Sequence, residues 1–197
     1  MSVIASPSVR VGEVPRSGAA CSTRIVAGVG VPQLTALFEC VSAAAEMGVP
    51  IIADGGVRSS GDLTKALAAG AETVMVGSLL AGTEESPGRT VLRNGARYKV
   101  YRGMASLGAA EARRQRENSE DVLDELAASA VPEGVEAVVE YRGSLADVLY
   151  QQVGGLRSGM SYLNARTLDY LRGNARFVRM TDAGRAESQP HDLRFVD

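Results

Sequence analysis

Histidine is nearly absent from this sequence: His191 is the one copy among 197 residues, and it stands in a polar C-terminal stretch where exposure is expected. Zinc clusters and triads built on imidazole are thereby largely excluded, because both need that side chain as ligand or base. Cysteine is almost as scarce. Two copies, Cys21 and Cys40, are too few for a disulfide framework and leave thiol chemistry open. An excess of one charge is also missing, since 21 Lys and Arg against 23 Asp and Glu leave a net charge of −2, with the arginines scattered. Such a surface gathers neither nucleic acid nor an anionic membrane. No apolar run is long enough to span a bilayer, and Met1 to Pro7 has no basic leader, so a cytoplasmic location is expected.

What is present is ordinary for one soluble domain with one substantial core: 45% hydrophobic and 22% charged residues. Val9 to Val11 reads as a short strand feeding a loop from Gly12 to Arg24. A helix follows from Pro32, with Leu34, Leu37, Phe38, Val41 and Ala45 on one face, Cys40 in the core and Gly48 as the stop. The unit then repeats. Val49 to Ala53 is a continuous apolar strand, Asp54-Gly55-Gly56 a turn, and Ser60 to Ala69 a helix closed by Gly70, with Ser59 and Asp62 resembling a capping box. Thr73 to Val76 makes a third strand, ending in Gly77-Ser78 and a short helix. Apolar strands separated by helices predict a parallel sheet covered on both faces, hence an α/β fold.

Beyond Gly88 the pattern loosens. Arg97 to Tyr101 reads as extended, Arg102 to Ser106 as a flexible turn, and the charged run Glu111 to Glu125, broken at Val131 to Gly134, as a lid or solvated insertion. Ser144 caps a helix carrying Leu145, Val148, Leu149 and Val153, and a second helix is expected after Gly154-Gly155 through Tyr162. Thr167 caps a short last helix, Ala175 to Arg179 reads as a late strand, and the tail after Asp182 as irregular.

Two features carry chemistry. Gly18 to Arg24 is a small-residue loop presenting Cys21 beside hydroxyls, so this thiol is either a small buried residue or a nucleophile that a ligand can approach closely. The glycines that follow the strands, Gly12, then Gly55 and Gly56, then Gly77, are either ordinary βα turns or one phosphate site built from backbone N–H groups and helix starts.

Several runs together resemble the IMP dehydrogenase/GMP reductase family, and specifically the C-terminal half of its catalytic domain. They are Cys21 to Arg24 with Gly28 to Gln33, Ala53 to Arg58, Val74 to Ser78 with Ala81 to Gly88, Tyr101 to Met104, Val131 to Glu136, and Gly154 to Gly159. The resemblance implies a partial TIM (β/α)8 barrel: the last three βα units, a flap insertion at about 98–140, C-terminal helices and a tail over 183–197. Phosphate sites at the ends of strands seven and eight fit that placement.

By the same resemblance the chain would oxidise IMP to XMP with NAD as part of a complete barrel. Cys21 would be the nucleophile that forms a thioimidate, and Thr23 would help to position water. Asp54 would accept from the ribose hydroxyls; Gly55, Gly56, Gly77, Ser78 and Tyr101 would line the sugar and phosphate; Gly103 and Met104 would contact the base, and Glu133 its N1 edge. Taken singly, Asp54 could be a turn residue and Tyr101 core. Gly18, Cys21, Glu187 and Ser188 match positions that hold a potassium ion across subunits of a homotetramer. No position is assigned to NAD.

Departures are visible. The turn Glu13 to Gly18 is longer than the family's, Ala19 replaces a phosphate-binding serine, Ala105 replaces a glycine, and Ala112 to Arg116 lacks the family's arginine–tyrosine pair. GMP reductase, which deaminates GMP with NADPH, is the sister reading; Glu133, and Ser106-Leu107 where the reductases carry a glutamate, favour the dehydrogenase. A truncated chain that at most binds a purine nucleotide is the reading from a different class.

Overall fold

The computed structural model describes residues 2–4, 30–103, 106 and 136–188. Val9 to Val11, the Cys21 loop, the charged run at 111–125 and His191 lie outside them.

The first sheet has the order β1-β2-β3, with β1 at Ser2–Ile4, β2 at Ile52–Asp54 and β3 at Thr73–Met75. β2 and β3 are parallel, with Asp54 opposite Met75. The expectation of an all-parallel sheet is corrected by β1, which runs antiparallel to β2 with Ser2 opposite Asp54. The segment before the cysteine loop takes an edge of β2 that a βα crossover would otherwise fill, because an unpaired edge leaves backbone groups unsatisfied. The sheet is also not covered on both faces: Thr73 and Met75 are exposed, whereas Val74 points into the core.

Helix α1, Gln33–Ala45, follows Pro32, whose missing N–H is harmless at a helix start. It buries Ala36, Leu37, Cys40 and Ala44 against Ile51, Ala53, Ala66 and Ala71. The buried stripe is turned from the expected one: Leu37 is at its centre, Ala45 is exposed, and Phe38 is 42% exposed. Phe38 instead meets Phe177 edge-on, with ring centroids 5.2 Å apart.

Helix α2, Ser60–Ala68, starts as expected, with Ser59 Oγ accepting from Asp62 N. Asp62 Oδ2 accepts in return from Arg58 N, one residue before the cap position of a standard box. Helix α3, Ser78–Ala81, follows β3 directly.

A second sheet, wholly antiparallel, contains β4 at Thr90–Arg93, β5 at Ala96–Arg102 and β6 at Glu136–Glu140. The β4–β5 hairpin turns through Asn94 at φ 51° and Gly95 at φ 80°, the positive angles of a type I′ turn. The strand prediction at Arg97 to Tyr101 thus extends in both directions and gains two partners.

Helix α4, Leu145–Tyr162, is one continuous rod, not two helices broken at Gly154-Gly155. Gly155 and, one turn on, Gly159 leave room for α4 to lie close on α2, whereas Gly154 faces open space. A Cβ on Gly155 would collide with the Ser60 side chain, and one on Gly159 would stand 2.8 Å from Thr64 Cγ2. Each of these two glycines costs about 1 kcal/mol of helix propensity, which the close contact offsets. Thr167 caps α5, Leu168–Asn174, as expected, and Leu171 is fully buried against Leu67 and Ala68.

Two expectations near the C-terminus fail. Ala175 to Arg179 pairs with no strand among the described residues, and Phe177 serves as the ring partner of Phe38. Beyond it, α6 at Asp182–Glu187 takes the first residues of the expected irregular tail, because Thr181 Oγ1 accepts from Gly184 N and caps it; 189–197 lie outside the described residues.

Candidate nucleotide site

The parallel pair β2–β3 brings two turns to one edge. β2 ends at Asp54, and the chain leaves through Gly55 at φ 84° and Gly56 at φ 72°, consecutive left-handed angles that side chains with a Cβ rarely adopt. Gly55 N donates to Met75 O at 3.5 Å, a long bond that keeps the two strand ends together. From α1, Gln33 Nε2 reaches Asp54 O at 3.4 Å. Asp54 is half-buried, and its carboxylate has no ion-pair or hydrogen-bond partner among the described residues. It can therefore accept two donors from one ligand, as vicinal hydroxyls present them.

β3 ends one position before Val76-Gly77, and Ser78 opens α3. Tyr101 comes from the other sheet, near the end of β5, and its hydroxyl lies 3.7 Å from the point where a Cβ on Gly77 would stand. Gly77 thus leaves a small open space beneath the phenol. Burial pushes the Tyr101 phenol above its ordinary value, so it is a neutral donor at physiological pH. Gly103 follows β5, and its O accepts from Ser106 N at 3.0 Å.

The structure therefore brings together Asp54, Gly55, Gly56, Gly77, Ser78 and Tyr101, with Gly103 just beyond β5. Gly18, Cys21, Thr23, Met104 and Glu133 lie outside the described residues. Glu187 and Ser188 close α6, where Ser188 Oγ donates to Arg185 O at 2.8 Å. Carbonyl oxygens at a helix end have the hard-donor chemistry that a potassium ion takes. Among the described residues no group of three or more His, Cys, Asp or Glu could hold a metal ion. Cys40 is buried as expected, and burial followed by the neighbouring Glu39 carboxylate raises its thiol pKa, which makes it a poor nucleophile. No described helix is long and apolar enough to cross a membrane.

Sequence reasoning missed how firmly Tyr101 is held. The segment Gly82 to Gly88 is welded to the second sheet: Arg142 N donates to Gly82 O and Glu84 N to Gly143 O, both at 2.8 Å. Glu85 Oε2 accepts from Leu145 N at 2.8 Å and so caps α4 from a distant loop. The hairpin signal Asn94-Gly95 was available in the sequence and would have placed β4 and β5.

A parallel βα pair with glycine turns at one edge, facing a tyrosine from a separate sheet, defines an α/β domain whose turns lie at the strand ends where such folds take ligands. The comparisons narrow that class. Residues 4–191 match the model of the IMP dehydrogenase / GMP reductase domain, and the chain belongs to that family, whose fold is a TIM barrel. It is 58% identical over 189 residues to inosine-5'-monophosphate dehydrogenase from Aquifex aeolicus, covering 96% of this chain and 38% of that protein. The enzyme of the same name from Nitrosopumilus maritimus is 54% identical over 177 residues, covering 90% and 37%. Among solved structures, a cysteine-to-alanine variant of GMP reductase from Trypanosoma brucei, in complex with guanosine 5'-monophosphate, superposes with a TM-score of 0.82 at 47% identity, covering 91% of this chain and 35% of that one. The chain thus spans little more than a third of the length of these relatives.

Proposed function

We propose that this chain is the C-terminal, nucleotide-binding part of an IMP dehydrogenase barrel, acting in guanine nucleotide synthesis within a complete barrel. β2–α2 and β3–α3 are its βα units, and the second sheet is the base of the flap. The observation that carries the reading is the Tyr101 hydroxyl beside Gly77, at the edge where Asp54, Gly55 and Gly56 emerge. That edge offers a carboxylate for ribose hydroxyls and, a turn away, backbone and phenol donors for a phosphate.

In this reading the Cys21 thiolate adds to C2 of IMP, the C2 hydride departs, and water, positioned by Thr23, cleaves the thioimidate to release XMP and return the thiol. NAD supplies the hydride acceptor; none of the residues named here is assigned to hold it. Gly56, Gly77, Ser78 and Tyr101 hold the phosphate, Asp54 the ribose, and Gly103, Met104 and Glu133 the base. Gly18, Cys21, Glu187 and Ser188 would hold potassium between subunits of a cytoplasmic homotetramer. Nucleic acid and membranes play no part.

A second reading, GMP reductase, is favoured by the likeness to the trypanosomal structure with guanosine 5'-monophosphate. A third, nucleotide binding without turnover, is favoured by the open face of Thr73 and Met75. One experiment separates them. The chain is assayed alone and mixed with the complementing part of the Aquifex aeolicus relative. NADH formed from IMP and NAD, and abolished by Cys21→Ala, supports the dehydrogenase. NADPH consumed with GMP supports the reductase, and binding without either reaction supports the third.

A further inference from the structure

Lysine is almost never fully buried unless it is paired. Lys99 is 4% exposed, and its Nζ donates to Glu84 O at 3.2 Å. Among the described residues no carboxylate pairs with it. An ammonium buried on a carbonyl alone is a poor source of stability, since an apolar side chain of similar volume would avoid the desolvation. What the contact supplies is a fixed distance.

Lys99 and Tyr101 are two residues apart on β5, so both side chains leave the same face of the strand. Each reaches the same stretch of chain. Tyr101 places its hydroxyl by Gly77, and Lys99 grips Glu84 O, seven residues further on. Between those points lie α3 and Thr83, which is 2% exposed and donates through Oγ1 to Leu80 O at 2.8 Å, so the spacer is packed and internally bonded.

We propose that Lys99 is a positioning residue for phosphate recognition: its buried ammonium ties β5 to the Glu84 carbonyl and so sets the Tyr101 hydroxyl over Gly77. This rests on the nucleotide reading above.

The test compares IMP with inosine, which has the same base and ribose but no phosphate, in titrations of the whole chain and its variants. Methionine keeps the length of the lysine stem without its charge, and a cooperative melt of K99M checks the fold. Wild type is expected to prefer IMP over inosine. K99M is expected to weaken IMP by about tenfold and to leave inosine within about twofold, as loss of a hydrogen bond to a charged group would. Y101F should behave alike, and the double variant should lose no more than either single one, because both substitutions act through the one contact of the Tyr101 hydroxyl with the phosphate. K99R, which keeps a donor for the carbonyl, should retain most of the preference. K99Q, too short to reach Glu84 O, should lose it, and decides the matter should K99M not melt cooperatively.

K99M or K99Q that keeps the wild-type preference overturns the proposal while the nucleotide reading stands. So does a variant that weakens both ligands equally, or a loss that adds in full to that of Y101F. A wild-type chain that binds neither ligand overturns both.

Discussion

Tyr101 and Gly77 are 24 residues apart and in different layers, yet the phenol oxygen rests 3.7 Å from the place of a missing Gly77 Cβ. The pair marks one place where the second sheet meets the βα edge. An alanine at 77 would meet the hydroxyl at van der Waals distance and fill the space under it. G77A is therefore expected to leave the fold intact and to weaken IMP by at least about tenfold, the scale of a lost charge-assisted hydrogen bond. Calorimetric titration checks it, and unchanged affinity would remove Gly77 from the phosphate site.

Tyr101 also has a signature in alkali. Burial raises its folded pKa above the unfolded tyrosine value of about 10. The unfolded chain then releases the phenolic proton at lower pH than the folded one, so the stability tied to this group is complete below about 10 and falls as pH rises through the folded pKa. Urea melts at rising alkaline pH should show a shallower decline in Y101F than in wild type.

Asp62 acts at the other end of the scale. Burial pushes its carboxyl up, but hydrogen bonds from Lys65 and Arg58 N, with both positive charges, outweigh that and hold it below the ordinary value of 3.8. Its contribution is present above the unfolded pKa and is lost as pH falls through the folded one. D62N should flatten the acid limb of the stability profile. Ser59→Ala, which removes the N-cap acceptor for Asp62 N, should cost about 1 kcal/mol at neutral pH.

The glycines of α4 divide by what lies opposite them. Gly154 has nothing within 4 Å of a built Cβ, whereas at Gly159 it would stand 2.8 Å from Thr64 Cγ2. G154A should stabilise by about 0.5–1 kcal/mol, and G159A should destabilise by about 1–3 kcal/mol by forcing α4 off α2. Equal effects in thermal melts would mean that the helices do not touch there.

These cases show where a sequence is readable. The Ser59 cap, the Gly55-Gly56 turn and Gly77-Ser78 were legible because each is decided within a few residues. Gly154-Gly155 reads as a break in the sequence because the reason for a small residue at 155 is Ser60 on another helix, which leaves no local mark. β1 beside β2 and β6 beside β5 were missed because pairing across 34 to 52 positions leaves no local mark. Of the site, spacing pointed to the two glycine turns. Tyr101 entered through the family resemblance, and its contact with Gly77 is visible only in the fold.

The central claim, that this chain carries a purine nucleotide site, is tested most directly by its thermal melt with and without IMP. A cooperative transition should rise with IMP concentration, by about 2.7 kcal/mol when ligand is a hundredfold above its Kd, and Asp54→Ala should abolish the rise. A transition that IMP leaves unmoved at millimolar concentration would contradict the account.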